Sequence, residues 1–257
     1  MHAITIVMIY LFLQMIFMWG LYRILKNPSV VDVSWSLGLM VSGLIYLYLV
    51  PLNFRTQVTG ILLIIWAWRL AFYLWYTRIR EGHVDRRYTE LSSRWKISPS
   101  LGFFINYQLQ GLLILVISSV FFLISQSGLT HITLIDILAF FIITVGIIGE
   151  TVADLQLQGF KMRHKGEVCN LGLWNYSRHP NYFFDWLSWI GFALLALQSN
   201  IGYLGLVSPL MLYIIFTRMT GPLTERGSIE SRGQKYIEYQ KQTPMFFPWF
   251  KKKIDSE

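Results

Sequence analysis

The densest run of chemistry-bearing side chains lies between residues 161 and 185. It begins with Lys161, Arg163, His164, Lys165 and Glu167 and continues through Cys169, Asn170, Trp174, Tyr176 and Arg178. It ends with His179, Pro180, Asn181, Tyr182 and Asp185. Lys161, Arg163 and Arg178 are suited to phosphate oxygens through charge-assisted hydrogen bonds. Trp174, Tyr176 and Tyr182 offer ring faces to a flat base. Asn181 and Asp185 are one helical turn apart, so an amide and a carboxylate share a face just after Pro180, which stiffens the start of the helix. Cations, rings and an amide–carboxylate pair are what a nucleotide would need. The competing reading of the same composition is an interfacial belt of Arg, Tyr and Trp beside a membrane.

A second set of polar residues falls inside apolar stretches: Asp32, Arg69, Asp136, Glu150, Asp154 and Asp185. Charge in such places is costly and is usually kept for a pathway, a ligand or a partner. Glu150 and Asp154 are four apart and share a helix face, where like charges repel unless a cation, a proton or a ligand donor lies between them. Two readings arise: a buried ion pair with Arg69 or Arg178, or a pair of acceptors for a bound polar ligand. Asp154, near the end of its span, can also simply be solvated. No Gly-x-Gly-x-x-Gly fingerprint and no Walker loop occurs, so any nucleotide would be held by membrane helices and their loops. The single cysteine, Cys169, excludes an intramolecular disulfide, and His and Cys do not cluster at ligand spacing, so no metal is expected.

The elements that must position these residues are read from hydropathy. Of the 257 residues 54% are hydrophobic and only 14% charged, well below the roughly 25% charge of a soluble domain. Apolar stretches cover residues 4–25, 33–49, 57–76, 102–124, 134–157, 182–197 and 201–216. Each approaches the roughly 20 residues of a spanning helix. They predict an all-α, polytopic membrane helical bundle of about seven transmembrane helices. Only residues 198–200 join the last two stretches, so a re-entrant hairpin is the alternative there. The first stretch has no positive region before it and no small-x-small site after it, and reads as a retained anchor. The positive-inside bias places the N-terminus outside and the C-terminus in the cytoplasm. Of 22 Lys and Arg residues, only Arg55 is then outside and only Arg69 within a span. The net charge of +8 fits topology and lipid headgroups, or an anionic ligand on the cytoplasmic side. No basic soluble module suggests nucleic acid. The chain reads as one membrane domain over 1–257 with a basic tail from 217. In that tail 224–240 suits a surface helix ending near Pro244, and the aromatic 245–250 suits an interface before Lys251, Lys252 and Lys253.

The string Gly172-Leu173-Trp174-Asn175-Tyr176-Ser177-Arg178-His179-Pro180-Asn181-Tyr182, with an acid at 185, resembles the bacterial DUF1295 family. That family is grouped with the steroid 5-alpha-reductase C-terminal superfamily and is distantly similar to the isoprenylcysteine carboxyl methyltransferases. Further segments share the resemblance: Asp32 with Trp35, Trp66 to Leu70 with Arg78, Asp85 with Arg87 and Tyr88, and Glu150, Asp154, Gln156, Phe160 and Lys161. In the tail they are Glu225, Tyr236, Tyr239, Thr243, Phe247 and Pro248. The matches run from about 31 to 250.

The resemblance implies a membrane-embedded reductase that uses NADPH on a C=C bond, such as that of an enone, in a steroid-like or other lipid. The bacterial inner membrane is the implied location, with the lipophilic substrate arriving from the bilayer. By matching position it implies cofactor contacts from Glu150, Asp154, Lys161, Asn181 and Asp185. Tyr176, Arg178, His179 and Tyr182 belong to the aligned loop, and Glu225, Arg226, Tyr236 and Tyr239 are tail contacts; Arg163 joins them on charge. Asp185 stands where the steroid enzymes carry Glu, and Glu150 where they carry Asn. The Glu and Tyr that bind the steroid ketone have no aligned match, and Asp32 and Tyr73 stand in for them by location as proton donors. The plain alternatives are an N-cap for Asp32 and an interfacial ring for Tyr73. Two rival functions remain: an S-adenosylmethionine-dependent methyltransferase, and a non-enzymatic lipid-binding membrane protein.

Overall fold

The computed structural model describes residues 2–82 and 84–251. Lys252 and Lys253 of the basic cluster lie outside the described residues. The protein is a polytopic helical bundle, without a strand among the described residues. The helices are α1 (His2–Leu25), α2 (Val30–Tyr48), α3 (Phe54–Leu74), α4 (Arg86–Ser93), α5 (Pro99–Ser125), α6 (Leu134–Arg163), α7 (Pro180–Ala196), α8 (Val207–Ile214), α9 (Gly221–Arg232) and α10 (Gln234–Gln242). Their starts reflect capping chemistry. Asn53 and Thr56 form a reciprocal box at α3, Asp85 accepts from the Arg87 backbone at α4, and Ser98 with Pro99 opens α5.

Among the described residues six runs are long and apolar enough to cross a membrane: α1, α2, Phe54–Arg80, α5, α6 and Gly202–Arg232. The remaining predicted span, 182–197, is α7, whose 17 residues extend about 25 Å, short of a hydrocarbon core of about 30 Å. Two of the long runs contain a π-helical turn, at Trp75–Arg80 and Ile215–Thr220. The wider turn shifts the helical register of the residues after it. One such turn carries Arg78, which joins a charge cluster, and the other carries Phe216, which joins a ring stack.

The chain forms two compact units. The first comprises residues up to Phe140 together with Phe192–Ser208. Here α2 packs against α1, α3 and α5, burying Leu39, Leu47, Leu63, Ile114, Ile117 and Phe121. The second comprises Phe141–Gly191 and Pro209–Glu257, as far as described. It holds most of α6, the start of α7, and α9 and α10, where the predicted tail helix occurs as two helices broken at Gly233.

The first unit holds two charge clusters. Arg55, predicted to lie outside the span, is fully buried and pairs with Asp136 at 2.7 Å. Its guanidinium also donates to Ser127 and to the Leu195 carbonyl, while Gln198 and Thr133 donate to Asp136. Burial of an arginine requires such a set, because an unpaired charge in a low-dielectric interior is very costly. The second cluster gathers Asp32, Asp85, Arg78, Arg87 and Tyr88. Arg78 pairs with Asp32 and with Asp85, the latter at 3.3 Å, and Arg87 holds Asp85 at 2.9 Å. The Tyr88 hydroxyl donates to Asp32 at 2.7 Å. Burial would raise the Asp85 carboxyl, yet the Arg87 and Arg78 guanidiniums outweigh it and hold Asp85 well below the usual carboxylate range. Burial, then the Asp32 charge, pushes the Tyr88 phenol up, so it stays a donor.

Candidate functional site on helices α6 and α7

The close approach of α6 and α7 begins at two glycines. A Cβ on Gly146 would clash with Ser188 Oγ and sit 2.7 Å from the Phe184 carbonyl, and one on Gly149 would clash with the Phe184 ring. Small residues at a helix interface let backbones approach closely in a membrane. The polar residues come directly after them. Glu150 and Asp154 continue along α6, Asn181 and Asp185 lie on the facing stretch of α7, and the Asn181 amide donates to Asp154 at 3.2 Å. The three acids are buried, at 3%, 3% and 8% exposure. The Asn181 Oδ1 is also buried and accepts no hydrogen bond from any described residue. The Asn181–Asp154 bond joins the two pairs that helical spacing defines, Glu150 with Asp154 on α6 and Asn181 with Asp185 on α7. Helical periodicity of about 100° per residue puts Lys161 on this same face of α6 and Arg163 on the opposite one.

The loop between the helices is folded tightly onto them. Trp174 donates its indole N–H to the Ala153 carbonyl at 2.9 Å, and the Gln156 side chain accepts from the Leu173 backbone. Arg178, predicted to hold phosphate, has another task. Its guanidinium grips both oxygens of Glu225, at 2.6 and 3.1 Å, and donates to the Gln240 and Thr243 carbonyls. His179 Nε2 lies 3.1 Å from Glu225, and Gln240 donates to the same carboxylate at 2.7 Å. The Tyr239 hydroxyl donates to the Trp174 and Ser177 carbonyls. Arg178, His179, Glu225 and Tyr239 therefore form a clasp that fastens the tail to the loop preceding Asn181. Their polar groups serve one another in this structure. Burial pushes the phenols of Tyr236 and Tyr239 up, and the Tyr239 hydroxyl stays a donor.

The remaining predicted residues are spread out. Tyr182 is stacked between His179, at 5.0 Å, and Phe216, at 4.8 Å, so both its faces are covered by the protein's own rings. Tyr176 is exposed and touches Phe250 edge-on. Lys161, Arg163 and Arg226 are exposed. In the first unit Tyr73 is half-buried on α3. Asp32 does not cap α2, whose N-cap is Ser29, and its oxygens accept from Arg78, Arg87 and Tyr88. Arg178 is not the partner of Glu150 or Asp154. Sequence reasoning missed Gln156 and Gln240 as loop and tail fasteners; nothing local marks them, because their partners lie 17 and 15 residues away. Among the described residues no group of His, Cys, Asp and Glu could hold a metal ion. Burial pushes the Cys169 thiol up, leaving it a poor nucleophile.

The family described as "Protein of unknown function (DUF1295)" matches residues 18–243. The chain belongs to the DUF1295 family. The match includes both helices of the acidic face, the clasp through Gln242, and the Asp32 cluster, so these arrangements lie inside the family's shared region of this DUF1295 protein. No curated protein and no solved structure matches the chain.

Proposed function

We propose that this DUF1295 protein is an NADPH-dependent membrane reductase acting on a C=C bond of a lipid, in a bacterial inner membrane. The observation that carries the reading is the α6–α7 face, where an amide with a buried, unaccepted Oδ1 stands among three buried acids. Such a face fits the carboxamide and ribose end of a nicotinamide nucleotide: Asn181 Oδ1 would accept from the carboxamide, and Glu150, Asp154 and Asp185 from ribose hydroxyls. Lys161, on the same face of α6, would meet a phosphate. When bound, NADPH supplies a hydride for the electron-poor carbon of the substrate. The protein's own contribution is orientation. The clasp fixes the loop before Asn181, the glycine contacts fix the distance between the helices, and the Asp154 bond sets the rotation of the Asn181 amide. An apolar substrate is suited to arrival from the bilayer along the helix surfaces.

The same face also favours a second reading. With Arg178 engaged by Glu225 and Arg163 turned away, the cation count that spoke for phosphates falls, and three acids suit the positive charge of S-adenosylmethionine. Titration of the purified protein with each cofactor, followed by melting temperature, separates the two. Ligand at a hundredfold excess over Kd adds about 2.7 kcal/mol. A rise with NADPH that disappears in Asn181→Ala and Asp185→Ala supports the reductase. A rise with S-adenosylmethionine alone replaces it with a methyltransferase, and no rise with either leaves a lipid-binding protein.

A further inference from the structure

The face of α6 opposite the acids carries an unassigned groove. Its volume is about 360 Å³, and Leu155, Gly159, Phe160 and Leu171 form much of its wall, with Arg163 and His164 at one end. The loop that begins at Cys169 makes the other wall and is held down by Gln156 and Trp174. The His164 ring stacks on Phe160 at 4.7 Å, and Arg163 lines the same groove. Arg163 makes no hydrogen bond or ion pair with any described residue, and it is exposed. Lys165 is nearby in the chain and also exposed.

The depth of the groove is set by the length of α6. Its 30 residues extend about 45 Å, about 15 Å more than a hydrocarbon core. The excess belongs to the polar C-terminal end, where Gln156, Gln158, Lys161 and Arg163 occur. The groove at 155–163 is therefore level with lipid headgroups. Leu155 and Leu171, 67% and 60% exposed, extend it toward the apolar side. An apolar trough ending in an unpaired guanidinium at that depth complements one kind of molecule: an anionic phospholipid, with its phosphate on Arg163 and the start of an acyl chain over Gly159 and Leu155.

We infer that this groove is a binding site for an anionic phospholipid of the surrounding leaflet, separate from the α6–α7 face and independent of the reductase reading. Gly159 provides a clean test, because a Cβ there meets nothing within 4 Å. A leucine at 159 fills the trough without disturbing the fold. The full-length protein in detergent is titrated with phosphatidylglycerol or phosphatidylcholine, and retained lipid is counted by native mass spectrometry. The wild type is expected to retain phosphatidylglycerol in preference to phosphatidylcholine. Arg163→Ala and Gly159→Leu should each weaken that retention about tenfold, the scale of one lost charge-assisted contact, at unchanged melting temperature. Lys241→Ala, on the exposed side of α10, should change nothing. Glycerol 3-phosphate, a headgroup without a chain, should not displace the lipid. Equal retention in all variants overturns the site. So does loss in Arg163→Ala without loss in Gly159→Leu, which reduces Arg163 to a surface charge. A lower melting temperature with unchanged retention in Arg163→Ala also overturns it, leaving a cation that only balances the helix end.

Discussion

The Asp32 cluster of the first unit and the α6–α7 face of the second are both built from buried carboxylates, yet by different recipes. In the first, two acids meet two guanidiniums and a phenol, and the donors converge on the carboxylate oxygens. In the second, helical spacing lines three acids up with an amide whose oxygen accepts nothing from the described residues. The Arg55–Asp136 pair and the Arg178–Glu225 clasp share the first recipe. A cluster that satisfies itself is a fastener, since any ligand would have to displace a bond already made. A cluster with an acceptor left over is where a ligand can gain a bond without breaking one.

The comparison can be broken most forcefully at Arg55. Arg55→Leu leaves Asp136 buried without its main partner and should cost about 3–5 kcal/mol, measured by denaturant unfolding in detergent. Adding Asp136→Leu should restore much of the loss, because the stranded charge goes with it. A mild effect for the single variant would mean that the pair is no fastener. Arg178→Ala removes both contacts to Glu225 and should cost about 2–4 kcal/mol. Limited proteolysis should then cut between α10 and Phe250, in a tail that resists cleavage in the wild type. An uncut tail would return Arg178 to the ligand side of the comparison.

Acid should loosen the Asp32 cluster. Asp85 is held below its ordinary value of about 3.9, so its contribution is complete above that unfolded value and is lost as pH falls toward the lower folded value. The gap in melting temperature between wild type and Asp85→Asn should therefore be widest near neutrality and shrink below about pH 4. A gap that does not change with pH would assign Asp85 only its capping bond to the Arg87 backbone. The smallest effect on stability belongs to the open face: Asn181→Ala should cost less than about 1 kcal/mol by the same unfolding assay. A large loss there would make the α6–α7 face one more fastener.

Much of the fold was legible because the signals are local. Apolar runs of about 20 residues mark α1, α2, α3, α5 and α6 whatever the rest of the chain does. The i, i+4 spacing of Glu150 with Asp154 and of Asn181 with Asp185 correctly put each pair on one helix face. The same periodicity, carried a few residues further, would have turned Arg163 away from Asp154. What the sequence did not supply was the distant partner of a charge. Arg55 read as lying outside because its apolar run begins two residues later, and its partner Asp136 is 81 residues away. Arg178 read as a phosphate ligand because Glu225, 47 residues on, has no local mark that it will return to the loop.

By itself the sequence determined which segments leave water, since the free energy of placing about 20 apolar residues in lipid depends on composition alone. It also determined which residues share a helical face, which is a matter of backbone geometry. Only the tertiary structure decided which charges neutralise each other and which polar atoms stay open. Those outcomes depend on distances of a few ångströms between helices, set by contacts such as Gly146 against Ser188, and Coulomb energy and hydrogen bonding in a low dielectric change steeply over that range.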